Sequence, residues 1–174
     1  MTIFLLIGLL GMVFVIFLKG PIMNLCNENS KLGQRLKKAS WFQNHWQAGA
    51  LLFIMNAVLF LTTILLLYGL MFIIIPFAHL LVMISAVIAS IYLWATINKV
   101  WQGTKRNRLK MAAAGSSFYL MLTLLFVYRL VTLQPAYPGD DPFMQAIILF
   151  MTIIVSTTAF IMCLAFTGFR KGEK

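Results

Sequence analysis

The sequence predicts an all-α, polytopic integral membrane helix bundle with five transmembrane helices, and three observations predict it. Hydrophobic residues make up 61% of the 174-residue chain and charged residues only 10%, whereas soluble domains usually carry about 25% charged residues. No Lys, Arg, Asp or Glu occurs in residues 39–98. The cations are concentrated between the apolar segments rather than within them. The polar connections are too short for an independent soluble fold, so residues 1–174 are predicted to form a single membrane domain.

The uncharged residues 39–98 predict a central helical hairpin. As one helix, with a rise of about 1.5 Å per residue, their apolar part would be about 75 Å long, whereas a bilayer core is about 30 Å thick. Gly69 and Pro76 favour a turn, because glycine is conformationally permissive and proline disfavours helix in the residue before it. We therefore predict spans over residues 47–70 and 77–97.

Three further apolar segments complete the predicted set of spans. Residues 2–18 form a short first span, which we expect to be retained because neither a basic region nor a small-residue cleavage site accompanies it. Residues 111–133 and 143–167 form the fourth and fifth spans. The two basic connections are residues 19–46 and 98–110.

The positions of the cations predict the orientation of the bundle. Thirteen of the fourteen Lys and Arg residues fall in the two basic connections and the C-terminal tail, and only Arg129 lies on the opposite side. The positive-inside rule makes the basic side cytoplasmic, with the N-terminus out and the C-terminus in. We expect a multi-pass protein of the plasma membrane. Membrane topology explains the net charge of +10, and no nucleic-acid partner is expected.

Residues 30–46 are predicted to form a helix that lies on the inner leaflet. Apolar residues recur at helical spacing, basic residues occupy the other faces, and tryptophans suit the headgroup boundary. Each cation near anionic lipid contributes about 1 kcal/mol. The expected partner of this segment is a bilayer with anionic lipids in its inner leaflet. The residues expected to contact it are Lys31, Arg35, Lys37, Lys38, Trp41 and Trp46.

Polar and small residues recur along faces of the second, third and fifth spans. Gly49, Asn56 and Thr63 follow at seven-residue intervals, and an amide facing lipid would be unsatisfied, so Asn56 should face another helix. Such faces serve either as contacts between helices or as the wall of a path for a neutral or weakly polar solute. The residues of interest are Asn56, Thr63, Ser85, Tyr92, Thr152 and Ser156.

Arg129 is the single cation assigned to the outer half of the membrane. In the simpler interpretation its side chain reaches the interface while its aliphatic stem stays buried. In the alternative, the turn before the fifth span brings Asp140 or Asp141 back to pair with Arg129.

No metal or cofactor is expected. The two histidines, His45 and His79, are predicted on opposite sides of the membrane, which disfavours joint ligation. A stripe of methionines with a cysteine could carry copper(I), a soft metal. Methionine is also an ordinary gap-filler in apolar cores, and the stripe contains no Met-x-x-Met or Cys-x-x-Cys motif. The methionines of this stripe are Met144, Met151 and Met162.

Signatures of catalysis and of ion coupling are absent from the sequence. The chain has only four carboxylates, none of them inside a predicted span, and no Ser/His/Asp set, HExxH, P-loop or GxGxxG motif. We therefore expect a small non-catalytic accessory, assembly or regulatory subunit of a membrane complex, packed against a membrane-protein partner or a second copy. The alternative is a small transporter, channel or exporter subunit for a neutral or weakly polar solute.

Overall fold

The computed structural model describes residues 31–72, 77–135 and 142–169. All regular structure in this part of the chain is helical. It consists of α1 (Lys31–Lys38), a 3-10 helix (Ser40–Gln43), α2 (His45–Leu70), α3 (Ala78–Val100), α4 (Lys105–Val131) and α5 (Phe143–Gly168).

Helices α2 to α5 are each long and apolar enough to cross a membrane. They contain 23 to 27 residues, which corresponds to about 35–40 Å of helix. The predicted first span, residues 2–18, lies outside the described residues. The described residues therefore contain four candidate spanning helices, as expected of a helical membrane protein.

The basic connection between α3 and α4 is shorter than the sequence predicts. Helix α4 begins at Lys105 rather than near residue 111, because the Thr104 hydroxyl accepts a hydrogen bond from the Asn107 backbone N–H at 3.4 Å and caps the helix. Helix α3 continues to Val100. Four residues thus join the two helices, and all five cations of this connection lie within α3 or α4.

The prediction of one continuous helix over residues 30–46 is wrong. Ala39 and Asn44 have extended backbones and separate α1, the 3-10 helix and α2. The Asn44 side chain accepts a hydrogen bond from the Trp46 backbone N–H at 3.2 Å, which makes Asn44 the N-cap of α2. The amphipathic helix therefore ends at Lys38, and the Asn44 cap begins α2 as a separate helix.

The four long helices form a ring in which α2 and α5 each pack against both α3 and α4. We call the end of the bundle that carries Lys105 the basic end and the opposite end the far end. Every fully buried residue of these helices lies in the half toward the basic end, within residues 48–56, 94–100, 108–119 and 156–167. The packed core therefore occupies that half, and in a membrane the exposed apolar side chains of the far half would contact lipid.

The turn of the central hairpin lies between Leu70 and Ala78, at the position predicted from Gly69 and Pro76. Phe77, the residue just before α3, has a left-handed backbone with φ of 63°. This conformation costs roughly 1–2 kcal/mol for a residue with a Cβ atom. The ring of Phe77 is exposed, so packing of the side chain does not account for the conformation.

Candidate functional site

All four long helices meet at the side chain of Asn56, which is fully buried on α2. Its Nδ2 donates to the carbonyl oxygen of Gly115 on α4 at 3.2 Å and to the Sγ of Cys163 on α5 at 3.5 Å. Its Oδ1 accepts a hydrogen bond from the Nε1 of Trp94 on α3 at 2.9 Å. We call Asn56, Trp94, Gly115 and Cys163 the Asn56 cluster. An amide carries two N–H donors and one carbonyl, so both donors are used within the bundle.

Small residues bring α2 and α4 close enough for these bonds to form. A Cβ atom on Gly49 would lie 2.7 Å from the Cβ of Ala114 and 3.2 Å from the backbone oxygen of Met111. A Cβ atom on Gly115 would overlap the side chain of Leu52. Close approach of backbones through small residues is the usual way in which transmembrane helices associate.

Aromatic side chains enclose the Asn56 cluster. The ring of Trp94 packs edge-to-face on Tyr119, with centroids 6.2 Å apart, and lies 6.5 Å from the ring of Phe166. The Tyr119 side chain also interacts with Ser90 on α3. Hydrogen bonds in such a dry environment are electrostatically stronger than the same bonds in water, and an unpaired polar atom there is costly.

A second polar contact joins α4 to α5 nearer the far end. The hydroxyl of Thr123 lies 2.9 Å from the hydroxyl of Ser156. Each hydroxyl is also within hydrogen-bonding distance of a carbonyl oxygen in its own helix. Ser156 is buried, so this contact is internal to the bundle.

A third polar contact closes the C-terminal end of α5. The Asn98 Nδ2 atom on α3 lies 2.7 Å, 2.9 Å and 3.2 Å from the backbone oxygens of Phe166, Thr167 and Phe169. The last carbonyls of a helix have no partner within the helix, so Asn98 supplies donors where they are needed. The Oδ1 atom of Asn98 is buried without a hydrogen-bond partner among the described residues.

Arg108 lies at the same level of the bundle, near the carbonyl end of α5. A Cβ atom on Gly168 would lie 3.3 Å from side-chain atoms of Leu109 and Ala112, which places the start of α4 against the end of α5. The Arg108 side chain is only 2% exposed. A cation near the C-terminus of a helix is stabilised by the partial negative charge of the free carbonyls.

The six polar residues singled out in the sequence do not line one surface. Asn56 and Ser156 are buried in contacts between helices. Thr63 and Thr152 are half-buried and donate to carbonyls of their own helices at 2.7 Å and 2.8 Å. Ser85 and Tyr92 are exposed.

The stripe that the sequence suggests on α3 agrees with its inward face only in part, because Ser85 and Tyr92 are exposed whereas its other members, Ala78, Ala89 and Thr96, are half-buried or buried. The half-buried residues of α3 toward the far end are spaced three to four residues apart and include Ala78, Val82 and Ala86. Almost every position of α3 outside its last turns is apolar, so hydrophobic periodicity carries little information about which face points inward.

The predicted surface contacts are described only in part. Arg129 is exposed in the last turn of α4, while Asp140 and Asp141 lie outside the described residues. Lys37, Trp41 and Trp46 are exposed. The side chains of Lys31, Arg35 and Lys38 also lie outside the described set.

The residues considered for metal binding are dispersed. His79 is exposed at the start of α3, while His45 begins α2 at the basic end. No group of three His, Cys, Asp or Glu side chains with metal-binding spacing occurs among the described residues. Met144 is exposed, Met151 is half-buried and Met162 is buried, so these methionines do not share one environment.

Sequence reasoning missed Trp94, Asn98 and Thr123 as polar contacts. Trp94 and Asn98 are four residues apart and therefore share a helix face. Asn98 directly precedes Lys99 and was counted with the basic connection, although α3 continues past it. The spacing of Trp94, Asn98 and Trp101 was the signal that could have identified this inward face.

Comparison of the chain with protein-family models, with curated proteins and with solved structures found no match in any of the three.

Proposed function

We propose that this chain is a non-catalytic accessory, assembly or regulatory subunit of a membrane complex. The observation that carries the proposal is the bonding of Asn56, whose two N–H donors and carbonyl oxygen all bind groups on three neighbouring helices. A solute path needs polar groups that can exchange protein partners for solute. In the Asn56 cluster these groups hold helices together, which supports a packing role over a pathway.

The distribution of acidic residues supports a non-enzymatic role. All four carboxylates of the chain lie in residues 19–46, in residues 134–142 or in the C-terminal tail. General acid–base catalysis and proton coupling inside a membrane rely on ionisable groups within the spans. No carboxylate lies in a predicted span, and His79 and Arg129, the His and Arg side chains within the predicted spans, lie near span ends.

The proposed topology has five spans, of which residues 2–18 form the first. The protein lies in the plasma membrane, with its N-terminus outside the cell and the basic end on the cytoplasmic side. The charge asymmetry supports this orientation. The large exposed apolar surface of the far half suits contact with lipid and with either a membrane-protein partner or a second copy.

Gentle detergent extraction followed by mass spectrometry and light scattering tests the proposal. We expect a stoichiometric membrane partner or a defined oligomer of this chain. Thr63→Val is the control: it removes an α2 hydroxyl whose one hydrogen bond among the described residues is to a carbonyl of its own helix, and it should leave the assembly intact. Monomeric protein without a partner in several mild detergents would contradict the proposal and favour the transporter alternative.

A further inference from the structure

Helices α2 and α4 run side by side in the same direction from the basic end. Their contact is fixed by Gly49, which packs against Met111 and Ala114. Residues three or four positions apart share a helix face. One turn nearer the basic end, α2 therefore carries Trp46 and α4 carries Lys110 at the margin of this contact.

Arg106 extends the same face of α4 by one more turn, because it precedes Lys110 by four residues. The side chains of Arg106 and Lys110 are exposed, and the Trp46 side chain is 69% exposed. All four carboxylates of the chain lie outside the described residues. This corner of the basic end thus combines two exposed cations with an exposed indole.

An aromatic ridge continues along the α2–α4 contact toward the far end. The ring of Phe118 on α4 packs edge-to-face on Phe53 of α2, with centroids 5.4 Å apart, and on Phe60 at 5.8 Å. All three rings are half-buried, so each keeps an accessible part. Phe118 lies about 12 Å along the helix from Lys110, within the roughly 15 Å of apolar depth that one leaflet provides.

We propose that this surface, formed by Trp46, Arg106, Lys110 and the ridge of Phe53, Phe60 and Phe118, binds one anionic phospholipid. Lys110 and the guanidinium fork of Arg106 bind the phosphate, and Trp46 donates its indole N–H at the headgroup level. An acyl chain lies along the aromatic ridge. The site requires only that α2 and α4 cross a bilayer, so it goes beyond the role in a complex and is independent of the partner.

The charges of this surface favour an anionic lipid over a zwitterionic one. Two cations attract the phosphate, whereas the described residues offer no carboxylate for a choline ammonium. An acidic protein segment would satisfy the cations but would not use the apolar ridge beside them. The juxtaposition of cations, indole and ridge at one depth therefore fits a phospholipid best.

Native mass spectrometry of the detergent-purified full chain, titrated with phosphatidylglycerol or with phosphatidylcholine of the same acyl chains, tests the site. We expect tighter binding of phosphatidylglycerol. Arg106→Gln and Lys110→Gln should each weaken it about fivefold, since one cation near an anionic headgroup contributes that factor. Arg129→Gln is the matched control, because it removes an exposed cation from the same helix at the far end and should leave binding unchanged.

Three results would overturn the proposal. The first is equal binding of the two lipids, and the second is an equal loss for Arg129→Gln and Lys110→Gln. The third is a co-purifying acidic protein that Arg106→Gln releases while phosphatidylglycerol binding stays at the wild-type level. Arg106→Gln, Lys110→Gln and Arg129→Gln change exposed side chains and should keep the wild-type free energy of unfolding. A loss of lipid binding can therefore be separated from a loss of fold.

Discussion

Replacing Asn56 by Leu removes three hydrogen bonds between helices while keeping a side chain of similar size. The lost bonds are those to the Gly115 carbonyl, the Cys163 sulfur and the Trp94 indole. Hydrogen bonds between membrane helices average about 0.6 kcal/mol each, so their loss costs about 2 kcal/mol. The Trp94 N–H is then buried without an acceptor, which costs a further 1–3 kcal/mol or so.

Apolar contacts of the new Leu side chain offset part of this cost, and we expect Asn56→Leu to lower the free energy of unfolding by about 2–4 kcal/mol. Trp94→Phe removes the indole donor itself. In that background Asn56→Leu should cost about 1–2 kcal/mol less, because no buried N–H is left without an acceptor.

Reversible unfolding in mixed detergent micelles measures the free energy of unfolding of the wild type, of Asn56→Leu, of Trp94→Phe and of the double variant. Thr63→Val is the control, since within the described part of the chain the Thr63 hydroxyl bonds just to a carbonyl of its own helix, and it should change stability by less than about 0.5 kcal/mol. The reasoning is refuted if Asn56→Leu is as mild as the control. It is also refuted if the effects of Asn56→Leu and Trp94→Phe are additive.

Three further predictions concern other contacts. Gly49→Ala should destabilise the bundle by about 1–3 kcal/mol, because a Cβ atom at residue 49 meets α4. Gly69→Ala should be neutral or stabilising, because nothing lies within 4 Å of a Cβ atom at residue 69. Equal free energies of unfolding for the two variants would contradict the prediction. Asn98→Asp should destabilise more than Asn98→Ala in thermal unfolding, because a carboxylate would face the three carbonyls at the end of α5; the reverse order would exclude the capping role. A stability cycle of Arg129→Ala and Asp140→Ala should show about 0.2–1 kcal/mol of coupling if the predicted outer ion pair forms, and strict additivity would exclude the pair.

The presence of the long apolar helices could be predicted from the sequence, because long uncharged segments have few other stable structures in a bilayer. Residues 47–70, 77–97 and 143–167 agree with α2, α3 and α5 to within three residues at either end. The start of α4 differs more, because a Thr104 cap extends the helix into charged sequence. Hydropathy reports burial in lipid, whereas local capping determines where a helix begins.

The candidate site was predictable only at Asn56, because an amide among apolar residues has few acceptable environments. The partners of Asn56 could not be read from the chain. Trp94 passes as an apolar residue in a periodicity analysis, and Gly115 takes part through its backbone oxygen. The sequence places Cys163 on a small, weakly polar face of the fifth span but does not indicate which residue it meets. When a helix is apolar on all sides, its sequence does not indicate which face points into the bundle. The exposure of Ser85 could therefore be found only from the structure.

The central claim is that the polar centre of the bundle is a packed contact between helices and is closed to water. The native thiol of Cys163 reports on it directly, because it is fully buried and bonded to Asn56. The measurement is labelling by a membrane-impermeant maleimide in Cys26→Ser protein, in intact and permeabilised membranes, with Gln102→Cys as an exposed control. We predict that Gln102→Cys is labelled in permeabilised membranes and that Cys163 is labelled only after unfolding in strong detergent. Rapid labelling of Cys163 in the folded protein would contradict the account and indicate a water-accessible path.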